Sequence, residues 1–207
     1  MGPQPEGTER VNTGMGSIAA TLDCDAELMV RVKEGDGASF AVLLEKHRSP
    51  VIHFLYRMVQ NQAVAEELAQ EVFLRVYRSR STYEPTAKFT TWLFRIATHL
   101  ALNSLRDGKS ERYDERLDDE SVEAPARQIC DNRPSVEAVM VKEAKLGEVR
   151  RAVAGLPAKQ RAAVLMHKYQ EMEYTQIAEA LSCSESAVKS LLFRAYETLR
   201  ARLAHMA

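Results

Sequence analysis

The sequence has little of what a metal site, a disulfide framework or a membrane span would need. Its 207 residues include three cysteines, Cys24, Cys130 and Cys183. They are far apart and odd in number, and none belongs to a CxxC pair or to a Cys/His cluster with zinc-ligand spacing. Free thiols in a reducing compartment are therefore expected. No run approaches the ~18 consecutive apolar residues that span a bilayer. The stretch 1–21 lacks a basic start followed by an apolar core, so no secretory signal is expected there. A cytoplasmic protein with no direct membrane insertion is the expectation. Catalytic motifs are missing too: there is no HExxH, phosphate loop or GxSxG. The five histidines, His47, His53, His99, His167 and His205, are scattered without a paired acid or nucleophile. No enzyme activity, no metal and no cofactor are expected. Strand patterns of period two are absent as well.

The chain also lacks an overall charge of one sign, with 28 basic and 29 acidic residues. What charge it has is sorted along the chain. Residues 141–207 carry 11 Lys/Arg against 7 Asp/Glu, and residues 40–107 carry 9 against 6. Between them, residues 108–140 carry 5 against 9. Two basic blocks flank an acidic connector, which is where a nucleic-acid binder of near-zero net charge would place its footprint.

Helical spacing dominates the pattern. A short apolar stripe, Leu28, Met29 and Val32, ends at Gly35-Asp36-Gly37, a helix stop and turn. Phe40, Leu43, Leu44, His47, Val51, Phe54, Leu55 and Met58 predict a helix over about 39–59, bent near Arg48 by Pro50. Asn61 is a good N-cap for a third helix over 62–78, with Val64, Leu68, Val72, Phe73 and Val76 inside. A loop follows, then a fourth helix over about 90–106. No stripe is sustained from Asp107 to Pro134, which reads as a linker. Pattern resumes near Ser135 and predicts helices to about Ala154, over 158–169, over 175–181 and over 185–204. The expected fold is all-α, with two small helical domains joined by a flexible acidic linker. The expected boundaries are a disordered tail at 1–22, a first domain at 23–107, a linker at 108–138 and a second domain at 139–207.

The last two helices are spaced as a helix-turn-helix. Small Ala178 lets them cross closely, Leu181 closes the first, and Val188 and Leu192 form the buried face of the second. Ser184 is placed to cap the second helix and to leave free N–H groups facing a phosphate. The outward face carries Glu185, Ser186, Lys189, Ser190, Phe193 and Arg194, with donors for guanine and an apolar ring for a thymine methyl. A helical hairpin with a merely solvated charged face would show the same bare geometry.

The strings that surround this hairpin resemble a known family. Leu156 to Leu165 (LPAKQRAAVL), Tyr174 to Leu181 (YTQIAEAL) and Ser184 to Ser190 (SESAVKS) resemble region four of the sigma-70 family. Ala65 to Leu74 (AEELAQEVFL) resembles the segment with which region two docks on polymerase. Phe89 to Ala97 (FTTWLFRIA) resembles its promoter-melting helix. With no domain between the lobes, the chain resembles the extracytoplasmic-function group of bacterial sigma factors. That resemblance implies an alternative sigma factor that binds core RNA polymerase, directs it to promoter DNA and helps melt the −10 element. It also implies an anti-sigma factor as a partner.

The resemblance assigns polymerase docking to Glu66, Glu67, Gln70 and Glu71. Acids at a helix start could equally serve only to offset its dipole. It assigns the −10 element to Tyr83, Lys88, Trp92, Arg95, His99, Asn103 and Arg106. Tyr83 is the aromatic expected to capture an unstacked base, because its loop is polar and should be exposed. For Trp92, on the apolar face, core packing competes with contact to DNA. The −35 element falls to Ser184, Ser186, Lys189, Ser190, Phe193 and Arg194. Two positions depart from the family pattern: His99 stands where many members have Asn, and Leu191 where many have Arg. A two-domain helix-turn-helix regulator that never docks on polymerase is the competing reading, and the Glu66 to Leu74 segment separates the two.

Overall fold

The computed structural model describes residues 23–108 and 136–206, with side chains from 144 onward in the second stretch. The tail expected over 1–22 and most of the connector expected over 108–138 lie outside the described residues. All regular structure among the described residues is helical.

Helix α1 (Cys24–Lys33) stops at Glu34, and Gly35 follows with φ 103°, a left-handed turn that favours glycine. Asp36 then caps α2 (Gly37–Val59), its Oδ1 accepting from the N–H groups of Ala38 at 2.9 Å and Ser39 at 3.2 Å. The Ser39 hydroxyl and N–H beside Asp36 hold its carboxyl below the usual value. Helix α2 passes through Pro50 without interruption, and its buried face resumes in phase at Val51, Phe54, Leu55 and Met58. The left-handed Gln60 closes it, donating its N–H to Tyr56 O at 2.8 Å. Asn61 caps α3 (Gln62–Arg78) by accepting from Val64 N–H at 3.0 Å, as its position predicts. A 3-10 turn, Ser79–Thr82, leads toward α4 (Phe89–Arg106).

A buried carboxylate ties α1 to α2. Asp25 is 3% exposed, and His47 Nε2 at 2.9 Å and Lys46 Nζ at 2.6 Å meet its two oxygens. A carboxylate so far from water needs such partners, because leaving it unpaired costs several kcal/mol. Phe54 meets Phe94 edge-on at 5.2 Å, joining α2 to α4.

In the second half, α5 (Val136–Ala154) ends at the Gly155-Leu156-Pro157 stop, and α6 (Ala158–Tyr169) follows. Five consecutive residues of α6, Ala162 to Met166, are buried. Five residues span more than one full turn, so the middle of this helix must be covered on every side. It packs on α7 (Tyr174–Leu181) and α8 (Glu185–Arg202) in its own half, and on α2 and α4 of the first. Helix α7 lies along α4 as well. The buried apolar residues form one cluster that runs through both halves. Polar groups cross the same seam. Arg161 donates to Met58 O at the end of α2 and to Ala154 O and Leu156 O at the end of α5. Arg57 lies over the Tyr169 ring at 4.2 Å, and Thr98 Oγ1 faces Met166 Sδ at 3.9 Å.

Candidate nucleic-acid interface

The helix-turn-helix is built as its spacing predicts. The side chain of Glu173 accepts from the backbone of Gln176, and Gln176 Oε1 accepts from Glu173 N–H at 2.9 Å, a reciprocal box that starts α7. Ser182 closes α7 in a left-handed conformation, φ 52°, and Cys183 N–H bonds back to Ala178 O at 3.0 Å. Ser184 Oγ accepts from Ala187 N–H at 3.2 Å and so caps α8. Val188, Leu192 and Ala195 are buried against α6 and α7, which turns the opposite face of α8 outward.

That outward face is open. Ser184, Ser186, Lys189, Ser190, Phe193 and Arg194 are all exposed. Phe193 is 68% exposed, far more than any core role allows. Lys189 is not idle: Glu185, one turn back, holds it at 2.7 Å and raises its pKa. Ser190 Oγ donates to Ser186 O at 3.0 Å, so its lone pairs remain directed away from the helix. Leu191 packs partly buried against the core, so this departure from the family pattern places an apolar side chain inward.

The α4 surface divides by helical phase. Phe89, Leu93, Phe94, Ala97, Leu100 and Ala101 are buried. Arg95, Asn103 and Arg106 are exposed, with Trp92 and His99 half-buried on the same side. Spacings of three and four place these five on one face. Lys88 is exposed at the N-cap position of α4. Arg106 pairs with Asp107 at 3.3 Å. Burial, and then the charge of Arg95, push the His99 pKa down, so its ring is neutral at neutral pH and can both donate and accept.

Tyr83 departs from expectation. It is 4% exposed, although its loop neighbours Ser81, Thr82, Glu84 and Pro85 are exposed. Its ring lies 5.0 Å from Trp92 and 6.5 Å from Phe89, and its carbonyl accepts from Lys33 Nζ at 2.9 Å. Burial, and then the charges of Asp23 and Asp25, push its phenol up to about 12. A polar loop sequence does not reveal that one apolar ring in it turns inward. In this conformation Tyr83 braces Trp92 from behind and offers no face to a base.

Sequence reasoning missed two neighbours of this face. Arg75 and Ser79, from the end of α3 and the turn after it, line a groove of about 330 Å³ with Trp92, Arg95, Ile96 and His99. Arg75 is exposed on α3, and only the packing of α3 on α4 brings it here.

The acidic face of α3 is solvent-facing. Glu66, Glu67 and Gln70 are exposed and Glu71 is half-buried. Gln62 Nε2 donates to Glu66 Oε1 at 2.6 Å, and Arg75 Nε donates to Glu71 Oε1 at 2.6 Å. The same side continues into two exposed apolar side chains, Leu74 at 42% and Tyr77 at 40%. Arg80 lies over the Tyr77 ring at 4.1 Å, and Phe40 packs against it at 5.0 Å. Their phase, off the inner stripe of α3, was the available signal.

Both halves of the chain match known proteins. The family model described as Sigma-70 region 2 matches residues 43–111, and that described as Sigma-70, region 4 matches residues 146–199. RNA polymerase sigma factor CarQ of Myxococcus xanthus is 32% identical over 179 residues, covering 86% of this chain and 97% of that protein. The ECF RNA polymerase sigma factor SigW of Bacillus subtilis is 29% identical over 184 residues, covering 86% and 98%. Among solved structures, CnrH in complex with the cytosolic domain of CnrY has TM-score 0.65 at 18% identity, covering 89% of this chain and 100% of that one. The sigma factor RpoE in complex with the anti-sigma factor NepR, from Bartonella quintana, has TM-score 0.59 at 20% identity, covering 80% and 96%. At these identities the structural likeness speaks for the fold. The sequence matches, covering both halves in order, show that the chain belongs to the extracytoplasmic-function group of the sigma-70 family of RNA polymerase sigma factors.

Proposed function

We propose that this protein is an alternative sigma factor that initiates transcription and has no catalytic activity of its own. Three exposed surfaces divide the work. Glu66, Glu67, Gln70 and Glu71 on α3 dock on a basic surface of core RNA polymerase. Trp92, Arg95, His99, Asn103 and Arg106 on α4, with Lys88 at its start, hold the melted −10 strand. Ser184, Ser186, Lys189, Ser190, Phe193 and Arg194 read the −35 duplex from the major groove. The N-terminus of α8, with its free N–H groups and positive dipole end, receives a phosphate. Tyr83 belongs to the −10 site as the support of Trp92.

The domain plan follows: a region-two domain over 23–107, a connector over 108–138 and a region-four domain over 139–207. The work is done in the cytoplasm, where the polymerase is. An anti-sigma factor is a further partner, as NepR is for the sigma factor RpoE of similar fold. The observation that carries the reading is that both DNA-facing helices keep their polar faces exposed while α3 presents a separate acidic face. A regulator that only bound DNA would have no use for that third surface.

Run-off transcription with purified core polymerase on a promoter library tests this. The protein is expected to start transcription from a defined subset, and Glu66→Lys with Glu67→Lys is expected to abolish co-purification with core enzyme. Unchanged co-purification of the double variant would count against docking through α3.

A further inference from the structure

The groove between α3 and α4 holds two guanidiniums with different surroundings. Arg95 stands exposed on α4. Arg75 reaches back one turn of α3 and donates to Glu71 Oε1 at 2.6 Å. Both line the same depression of about 330 Å³, with Ser79, Trp92, Ile96 and His99. That set suits one unpaired nucleotide. Trp92 and Ile96 offer surface to a base, Ser79 and His99 offer polar groups to its edge, and the two arginines offer donors to a phosphate.

Glu71 belongs to two surfaces at once. It is part of the acidic face of α3, and it neutralises the guanidinium at the rim of the groove. An exposed pair at this spacing is worth only about a twofold change in an equilibrium. It is weak enough for a stronger cationic partner to displace. Freed of Glu71, the Arg75 side chain is long enough to turn toward the groove it already lines.

We propose that Arg75 is a phosphate-holding residue for the melted strand, that Glu71 masks it in the free protein, and that docking on core polymerase draws Glu71 away and unmasks it. The idea rests on the docking role given to α3 above. It makes one helix carry a message from the polymerase face to the DNA face through a single side-chain exchange.

The test uses the full chain without polymerase and short fluorescein-labelled single-stranded homopolymers as probes. In the Glu71→Gln protein, where the mask is removed, Arg75→Gln should weaken binding at least about twofold and lower the slope of log affinity against log salt by about 0.7, the share of one phosphate on a single strand. Glu71→Gln should strengthen binding about twofold, and this gain should vanish when Arg75→Gln is also present. An unchanged affinity and salt slope when Arg75→Gln is added to the Glu71→Gln protein would overturn the phosphate role. A Glu71→Gln gain that is absent, or that persists without Arg75, would overturn the mask. Circular dichroism melts of the variants keep a folding defect from imitating the effect. Co-purification with core polymerase reads the docking role separately, so the two ideas can fail independently.

Discussion

Replacing Arg161 with leucine should remove a cation that closes two helices at once. The guanidinium donates to Met58 O in the last turn of α2, and to Ala154 O and Leu156 O where α5 ends. The final carbonyls of a helix have no partner within it, and they carry the negative end of the dipole. A half-buried cation placed there satisfies both needs. Burial pushes the Arg161 pKa down, but arginine remains charged at neutral pH. Hydrogen bonds to a charged group are worth about 1.5–3 kcal/mol each. The side chain is only half-buried, so water will recover part of what the variant loses. Three acceptors then give a net loss of about 2–4 kcal/mol. For a chain of this size, each kcal/mol moves Tm by about 2–4 °C, so a fall of about 4–16 °C is expected. Urea and thermal melts followed by circular dichroism measure it, with Arg161→Lys as an intermediate case. A loss for Arg161→Leu below about 0.5 kcal/mol, the scale of a neutral surface change, would refute the double-capping account.

Two other expectations follow from the same geometry. Tyr83→Phe should leave stability unchanged or raise it by up to about 1 kcal/mol, because the phenol oxygen is buried with no hydrogen-bond partner among the described residues. Its folded pKa of about 12 lies above the ordinary value, so the unfolded chain loses that proton first and stability falls as pH rises from 10 toward 12. Denaturant midpoints of wild type and Tyr83→Phe should diverge across that window, wild type falling below the variant, and parallel curves would contradict the burial. At the other site, Glu185→Gln should release Lys189 and raise affinity for −35 duplex about twofold. Lys189→Gln should lower that affinity and reduce the salt slope. Fluorescence anisotropy reads both, and equal slopes for Lys189→Gln and wild type would remove Lys189 from the interface.

Much of the architecture was legible from local rules. Asn61 and Ser184 announced helix starts because an Asx or Ser oxygen can satisfy N–H groups a helix leaves free, and both do so. The outward phase of Lys189, Ser190, Phe193 and Arg194 followed from the buried phase of Val188 and Leu192. The acidic face of α3 was legible for the same reason. Tyr83 was misplaced because exposure of a loop residue depends on what lies across from it. Trp92 and Phe89, from the next helix, make the cavity its ring fills.

The sequence by itself determined the helices, their caps, their inner and outer faces, and the family. These depend on periods of three and four and on side chains within a few residues of one another, which the order of residues states directly. Tertiary structure alone decided which surfaces share a groove. It set Arg75 beside Trp92 and His99, turned Tyr83 inward, and put the buried middle of α6 between the two halves. It also placed Arg161 against the end of a helix 103 positions earlier in the chain. Such contacts arise where apolar faces of separate helices find the burial they need, and that partner choice is not encoded in the spacing of either face alone.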